Sequence, residues 1–200
     1  GDEATLSLYQ AFLTDLAQRF AAGPVSLCWA YTPPERDFAT YATTLVPADQ
    51  TSMRYIPQRG PDFAARLHQV FVDTQALHFQ QTIVIGSDSP YISQAIINQA
   101  RQALQEVDVV LGPAEDGGYY LIGMREPHDV FGGIPMSTSV VLTMTLEKVR
   151  HLGLSVRLLE PLFDVDELPE LQRLAMLLQV RPELAPHTAA VLEQLAGLPL

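Results

Sequence analysis

The sequence predicts a single α/β domain, with a mostly parallel sheet between helices in three layers. Three observations predict it. Short apolar runs alternate along the chain with longer segments of helical periodicity. The runs Thr82–Ile85, Val107–Leu111 and Tyr119–Met124 read as buried strands, because polar residues are nearly absent from them. Polar and acidic groups appear abruptly after strands, at Gly86–Pro90, Gly112–Gly118 and Asp164–Asp166. Ligands of open α/β sheets sit outside the carboxyl ends of strands, so these clusters are candidates for one cleft.

The elements follow in order. Residues 4–21 carry Leu8, Phe12, Leu16 and Phe20 at four-residue spacing, widened by Leu6, Leu13 and Ala17, so they predict an amphipathic helix that Gly23-Pro24 stops. Val25–Tyr31 is apolar at both parities and predicts a central strand with Cys28 and Trp29 largely buried. Residues 35–52 are weakly patterned, with a short helix around Phe38–Thr44, and Met53–Ile56 reads as a short strand. Asp62 or Pro61 starts a helix from Phe63 to about His78, with Phe63, Leu67, Val70, Phe71 and Leu77 inward. After the strand Thr82–Ile85, Ser93 caps a helix carrying Ala95, Ile96, Ala100 and Leu104, and Val107–Leu111 completes a βαβ unit. Tyr119–Met124 follows a Gly-Gly turn, and its two tyrosines alternate, one for the core and one for the cleft. Residues 126–139 form a loop, and a helix from Ser139 or Val140 to His151 stops at Gly153. A strand, Leu154–Leu159, precedes a helix from about Leu168–Glu170 to Gln179; Pro182 and Pro186 separate it from a last helix, His187–Ala196. No repeat or domain boundary interrupts residues 1–200.

Composition narrows the function. A net charge of −11 argues against a nucleic-acid surface, which needs clustered Lys and Arg. No apolar run approaches the roughly 18 residues of a membrane span, and no signal peptide precedes the first helix. Cys28 is the lone cysteine, so a disulfide framework is excluded and a reduced, cytoplasmic protein is the simplest reading. The five histidines lack ligand spacing, and no Ser-His-Asp order is readable.

The acidic residues carry the chemistry, each with a structural alternative. Asp88 at a strand tip offers a hard oxygen ligand for a divalent cation, or it orders the turn before the next helix. Glu115-Asp116-Gly117-Gly118 sets bare backbone beside two carboxylates, which suits sugar or nucleotide hydroxyls, though a plain turn between strands uses the same Asp-Gly pair. Asp164 and Asp166 share one face if extended and could reach one Mg²⁺ or Mn²⁺; at a helix start they would complement its dipole instead.

Taken together, Gly86-Ser87-Asp88-Ser89-Pro90, the stretch Gly112–Gly123 (GPAEDGGYYLIG), Ile134-Pro135-Met136-Ser137-Thr138 and Asp164-Val165-Asp166 resemble the DUF2064 family of bacterial glycosyltransferase-like proteins. The resemblance runs over about residues 1–178 and implies a GT-A, or nucleotide-diphospho-sugar transferase, fold. It implies metal ligation by Asp88, Asp164 and Asp166, and an acceptor- or sugar-binding turn at Asp116, Gly117 and Gly118, with Asp116 as the catalytic group. Ser87, Glu115, Tyr119, Ser137 and Thr138 complete the expected substrate-binding set. Members usually begin with a strand and a loop resembling K-x-P-x-P-G followed by K-T-R-L. Here the sequence begins in the helix after it, and the only lysine is Lys148, so either the sequence is trimmed or the loop is lost. Met136 stands for a usual Trp, Ser89 for a usual Cys, Glu167-Leu168 for Thr-Pro, and Gly60-Pro61-Asp62-Phe63 for Gly-Asp-Leu-Gly.

The expected function is therefore metal-dependent glycosyl or nucleotidyl transfer with Mg²⁺ or Mn²⁺ as cofactor. The expected partners are a nucleotide sugar or NTP and an unknown small-molecule acceptor, and a homodimer is left open. The alternative is a non-catalytic binding module of the same fold.

Overall fold

In the computed structural model, which describes residues 2–21, 23–47 and 53–196, seven α-helices and six strands are arranged in three layers. The strands are β1 (Cys28–Tyr31), β2 (Arg54–Pro57), β3 (Thr82–Ile85), β4 (Val109–Pro113), β5 (Tyr119–Met124) and β6 (Val156–Leu158). The helices are α1 (Asp2–Ala21), α2 (Phe38–Ala42), α3 (Phe63–Ala76), α4 (Gln94–Ala103), α5 (Val141–His151), α6 (Leu168–Val180) and α7 (Pro186–Ala196). Residues 48–52 of the weakly patterned stretch lie outside the described residues.

The main sheet has the order β3-β5-β4-β6. β5 runs antiparallel to both neighbours and β6 runs parallel to β4, so three of the four strands point one way. The sheet is thus mixed, with two of its three pairings antiparallel, and β3 and β4 are not neighbours: the β4–β5 hairpin folds back and inserts β5 between them. Packed on one face are Leu16 and Phe20 of α1 and Ile96, Ile97 and Ala100 of α4; on the other, Leu67 and Phe71 of α3 and Val149 of α5. A third core joins Leu8 and Phe12 of α1 to Leu174 and Leu178 of α6 and Ala189 of α7.

Capping sets the helix starts. Asp62 accepts the amide of Ala65 at 2.8 Å and Ser93 that of Ile96 at 3.3 Å, satisfying first-turn donors that have no partner within the helix. Some residues assigned inward are exposed instead: Leu6, Phe63, Leu77 and Ala95. The first three lie near helix ends.

A β-bulge between Gly112 and Pro113 breaks the alternation of β5. Leu121 faces Gly112 and Tyr119 faces Pro113, so Tyr120 is the extra residue. Tyr120 is buried among the α1–α4 face, and its hydroxyl donates to the carbonyl of Glu160 at 3.1 Å. Tyr119 packs on the α3–α5 face, where its hydroxyl is buried beside Thr145 and burial raises its pKa. Neither hydroxyl is presented to the cleft, in contrast to the expectation for Tyr119.

β1 is not the central strand that its apolarity predicts. It pairs in parallel with β2 in a separate two-stranded sheet, and all four of its residues are half-buried. Apolar side chains at both parities report layers above and below a strand, not neighbours in the sheet plane. Trp29 and Tyr31 are covered by Phe38, with ring centroids 5.6 and 5.4 Å away. Burial pushes the Cys28 thiol up to about 11, with Arg54 pulling it partly back. Since the thiolate is the nucleophile, labelling of Cys28 by a thiol reagent should rise about tenfold per pH unit from pH ~7 to ~10. A plateau near the ordinary thiol value of ~8.5 would contradict this environment.

Candidate active site

Four aspartates meet at the carboxyl end of the main sheet, although their segments leave it far apart. β3 and β6 are at opposite edges, so Asp88 and Asp164 do not follow adjacent strands. The chain after β6 closes the distance. Leu159 N–H donates to Leu111, Leu162 N–H to Pro113, and Glu115 N–H returns to the Leu162 carbonyl, at 2.9 to 3.0 Å. This strap then crosses the end of the β4–β5 hairpin, and Val165 N–H donates to the carbonyl of Asp88 at 3.1 Å.

Carboxylate oxygens of Asp116, Asp164 and Asp166 all lie within 4.8 Å of one another. Asp88 stands beside this trio, half-buried. Its pKa is raised, first by burial and then by repulsion from Asp166 and Asp116. The carboxyl of Asp164 is pushed up to about 6, by burial first and then by Asp116, Asp166 and Asp88. Among the described residues no ion pair reaches any of the four. Like charges crowded without a counter-charge favour protonation of one member or capture of a cation. Two oxygens on one Mg²⁺ at ~2.1 Å are at most about 4.2 Å apart, so the trio stands within a few tenths of an ångström of the spacing at which hard donors share one small cation.

Three glycines shape the surroundings of the carboxylates. A Cβ on Gly86 would collide with the carboxylate of Asp88, which lies against its backbone. Gly117 has φ +95°, and a Cβ there would meet the carbonyl of Ser139. Its own carbonyl accepts Leu142 N–H at 2.9 Å, which joins the hairpin tip to the start of α5. Gly118 N–H donates to Asp116 Oδ1 at 2.7 Å and orients that side chain.

The other expected residues divide between site and scaffold. Ser87 Oγ is 2.9 Å from the hydroxyl of Tyr9 on α1. Glu115 is paired with Arg173 through two bonds of 2.6 and 2.9 Å, and that guanidinium also covers the Phe163 ring at 4.1 Å. Its carboxylate therefore anchors α6 to the hairpin. Ser137 is exposed and left-handed at φ 61°, and exposed Thr138 donates to the Pro135 carbonyl at 2.7 Å. Their loop also borders a cleft of about 460 Å³ against the first turn of α3, lined by Phe63, His68, Ile134 and Met136 but by none of the four aspartates.

Sequence reasoning missed Tyr9, Arg19, Tyr91 and Arg173, which brace these segments. Arg19 Nη1 donates to the carbonyls of Pro90 and Ile92 at 2.6 and 2.9 Å. Only Tyr91 carried a local signal, an aromatic ring directly after the Asp88 turn; the others act across long separations.

Comparisons agree with this architecture. Residues 15–138 match DUF2064, a family described as an uncharacterised protein conserved in bacteria. None of the curated proteins matches. A crystal structure from Desulfovibrio desulfuricans G20, described as a candidate nucleotide-diphospho-sugar transferase, superposes with a TM-score of 0.82 at 29% identity. The match covers 97% of this chain and 84% of that one. No helix among the described residues is long and apolar enough to cross a membrane.

Proposed function

This chain belongs to the DUF2064 family, and on that premise we propose that it is a metal-dependent transferase acting on a nucleotide-activated donor, moving a glycosyl or a nucleotidyl group to a small acceptor. The observation that carries this reading is the convergence of Asp116, Asp164 and Asp166, with Asp88 beside them, at the carboxyl end of the sheet.

Asp116, Asp164 and Asp166 would hold Mg²⁺ or Mn²⁺, with Asp88 supporting them. Such a cation neutralises diphosphate charge as it develops on the leaving group. The protein's own part is positional. Gly86 keeps the carboxylate of Asp88 close to the backbone, and Gly118 N–H fixes Asp116, whose exposed carboxylate can orient an acceptor hydroxyl beside the cation. The strap from Leu159 to Val165 delivers the late pair.

Binding of the donor should depend on the cation. At ~6 Å and an effective dielectric of ~20, each like-charge pair between a carboxylate and a bare phosphate costs nearly 3 kcal/mol before screening. Calorimetric titration of nucleoside di- and triphosphates and nucleotide sugars should show binding in Mn²⁺ and little in EDTA. Asp166→Asn, which takes one carboxylate from the trio, should remove most of the Mn²⁺-dependent part while the far-ultraviolet spectrum is unchanged, and Asp88→Asn should weaken it less. Equal affinity in Mn²⁺ and EDTA would rule out the metal-bridged reading, and no binding in either would favour the non-catalytic module.

A further inference from the structure

The strap that carries Asp164 and Asp166 has to be set in register with Asp88, which belongs to the opposite edge of the sheet. Along β4 its backbone bonds do this, but the last of them is the Leu162–Glu115 contact. Beyond that point, one side chain takes hold of it. The Tyr91 hydroxyl accepts Phe163 N–H at 3.0 Å and donates to the Phe163 carbonyl at 2.6 Å. Both polar groups of a single peptide residue are thus satisfied by one phenol oxygen, immediately before Asp164.

Tyr91 is itself a rigid post. It is 7% exposed, and its ring meets that of Phe163 with centroids 4.8 Å apart. The turn that contains it is closed by Ile92 N–H on the Ser89 carbonyl at 3.2 Å, and the Pro90 and Ile92 carbonyls on either side of it are held by Arg19. The Arg173 guanidinium also lies over the Phe163 ring, 4.1 Å from its centroid. With Tyr91 fixed to the Asp88 turn and Phe163 fixed to Tyr91, the Val165 N–H falls on the Asp88 carbonyl.

We infer that Tyr91 is a positioning residue that sets Asp164 and Asp166 against Asp88, and so sets the divalent-cation affinity of the cluster. The second half of this inference rests on the metal-dependent reading above; the first does not. Removing the hydroxyl strands a buried N–H and a buried carbonyl next to the cluster while the aromatic ring still fills its site. The strap then moves, and the carboxylates lose the close spacing that one cation needs.

Tyr91→Phe separates the two halves. In metal-free protein, amide exchange of Phe163 and Val165 should quicken at least tenfold in the variant, with the β4 and β5 amides unchanged. Mn²⁺ affinity, read by water-proton relaxation, should fall about tenfold, whereas Tyr31→Phe, which lies in the separate β1–β2 sheet, should leave it unchanged. Unaltered exchange at Phe163 and Val165 would overturn the clamp. Faster exchange with unaltered Mn²⁺ affinity would overturn its role in cation binding. If wild-type protein binds no Mn²⁺, the metal-dependent reading fails and the cation half falls with it, while the exchange experiment still decides the clamp.

Discussion

Asp15→Ala is expected to destabilise the fold by roughly 4 kcal/mol, since each hydrogen bond to a charged group is worth about 1.5–3 kcal/mol. The carboxylate of Asp15 is 3% exposed on α1 and caps the start of α7. It accepts His187 N–H and Thr188 N–H at 2.9 Å each, and the Thr188 hydroxyl at 2.6 Å. Truncation leaves three donors without an acceptor, two of them in fully buried Thr188, and removes the negative charge beside the partly buried guanidinium of Arg19. Thermal unfolding should show a drop on the order of 10 °C, at about 2–4 °C per kcal/mol for a chain of this size. Asp15→Asn keeps one acceptor and should lose less. A drop below about 3 °C in the alanine variant would mean that α7 is held by its apolar contacts with α1 alone.

Asp164→Asn should act in the opposite direction, and only in one pH range. The folded carboxyl is raised to about 6, above its ordinary value of 3.8. Between those values the unfolded chain releases a proton that the folded chain keeps, so wild-type stability falls as pH rises through this window. Below pH ~3.5 both states hold the proton and the penalty vanishes. Asparagine never ionises, so in EDTA the variant should melt a few degrees above wild type at pH ~7.5 and together with it at pH ~3.5. The gain corresponds to about 1 kcal/mol, because solvent screening of this partly exposed group discounts the full linkage value. Millimolar Mn²⁺ should reverse the order at pH ~7.5 by stabilising wild type alone. The same difference at both pH values would show that the crowded charges do not oppose folding.

The positions of nearly all helices and strands were legible because each follows from neighbours in sequence. Helical spacing from Leu8 to Phe20, the caps at Asp62 and Ser93, and the stop at Gly23-Pro24 are local facts, and the helices begin and end close to them. The acidic clusters were legible for the same reason: a carboxylate after an apolar run marks a strand end wherever that strand sits. Sheet order was not legible. Periodicity shows which faces of a strand are covered but not which strand lies beside it, so β5 between β3 and β4, and β1 away from the main sheet, had no local signature.

By itself, then, the sequence determined the α/β class, the alternation of its elements and the four aspartates at strand ends, since these depend on residues within a few positions of one another. Only the tertiary structure decided which of those aspartates share a space and what holds them there. Asp116 joined Asp164 and Asp166 because a strap of some seven residues crosses the end of the hairpin. That crossing is fixed by Tyr91 acting over 72 residues, and α7 is capped by Asp15 from 173 residues away. Contacts of this kind form only after the chain has collapsed, when burial has removed water as the competing partner and one hydroxyl or carboxylate can determine the geometry of a distant segment.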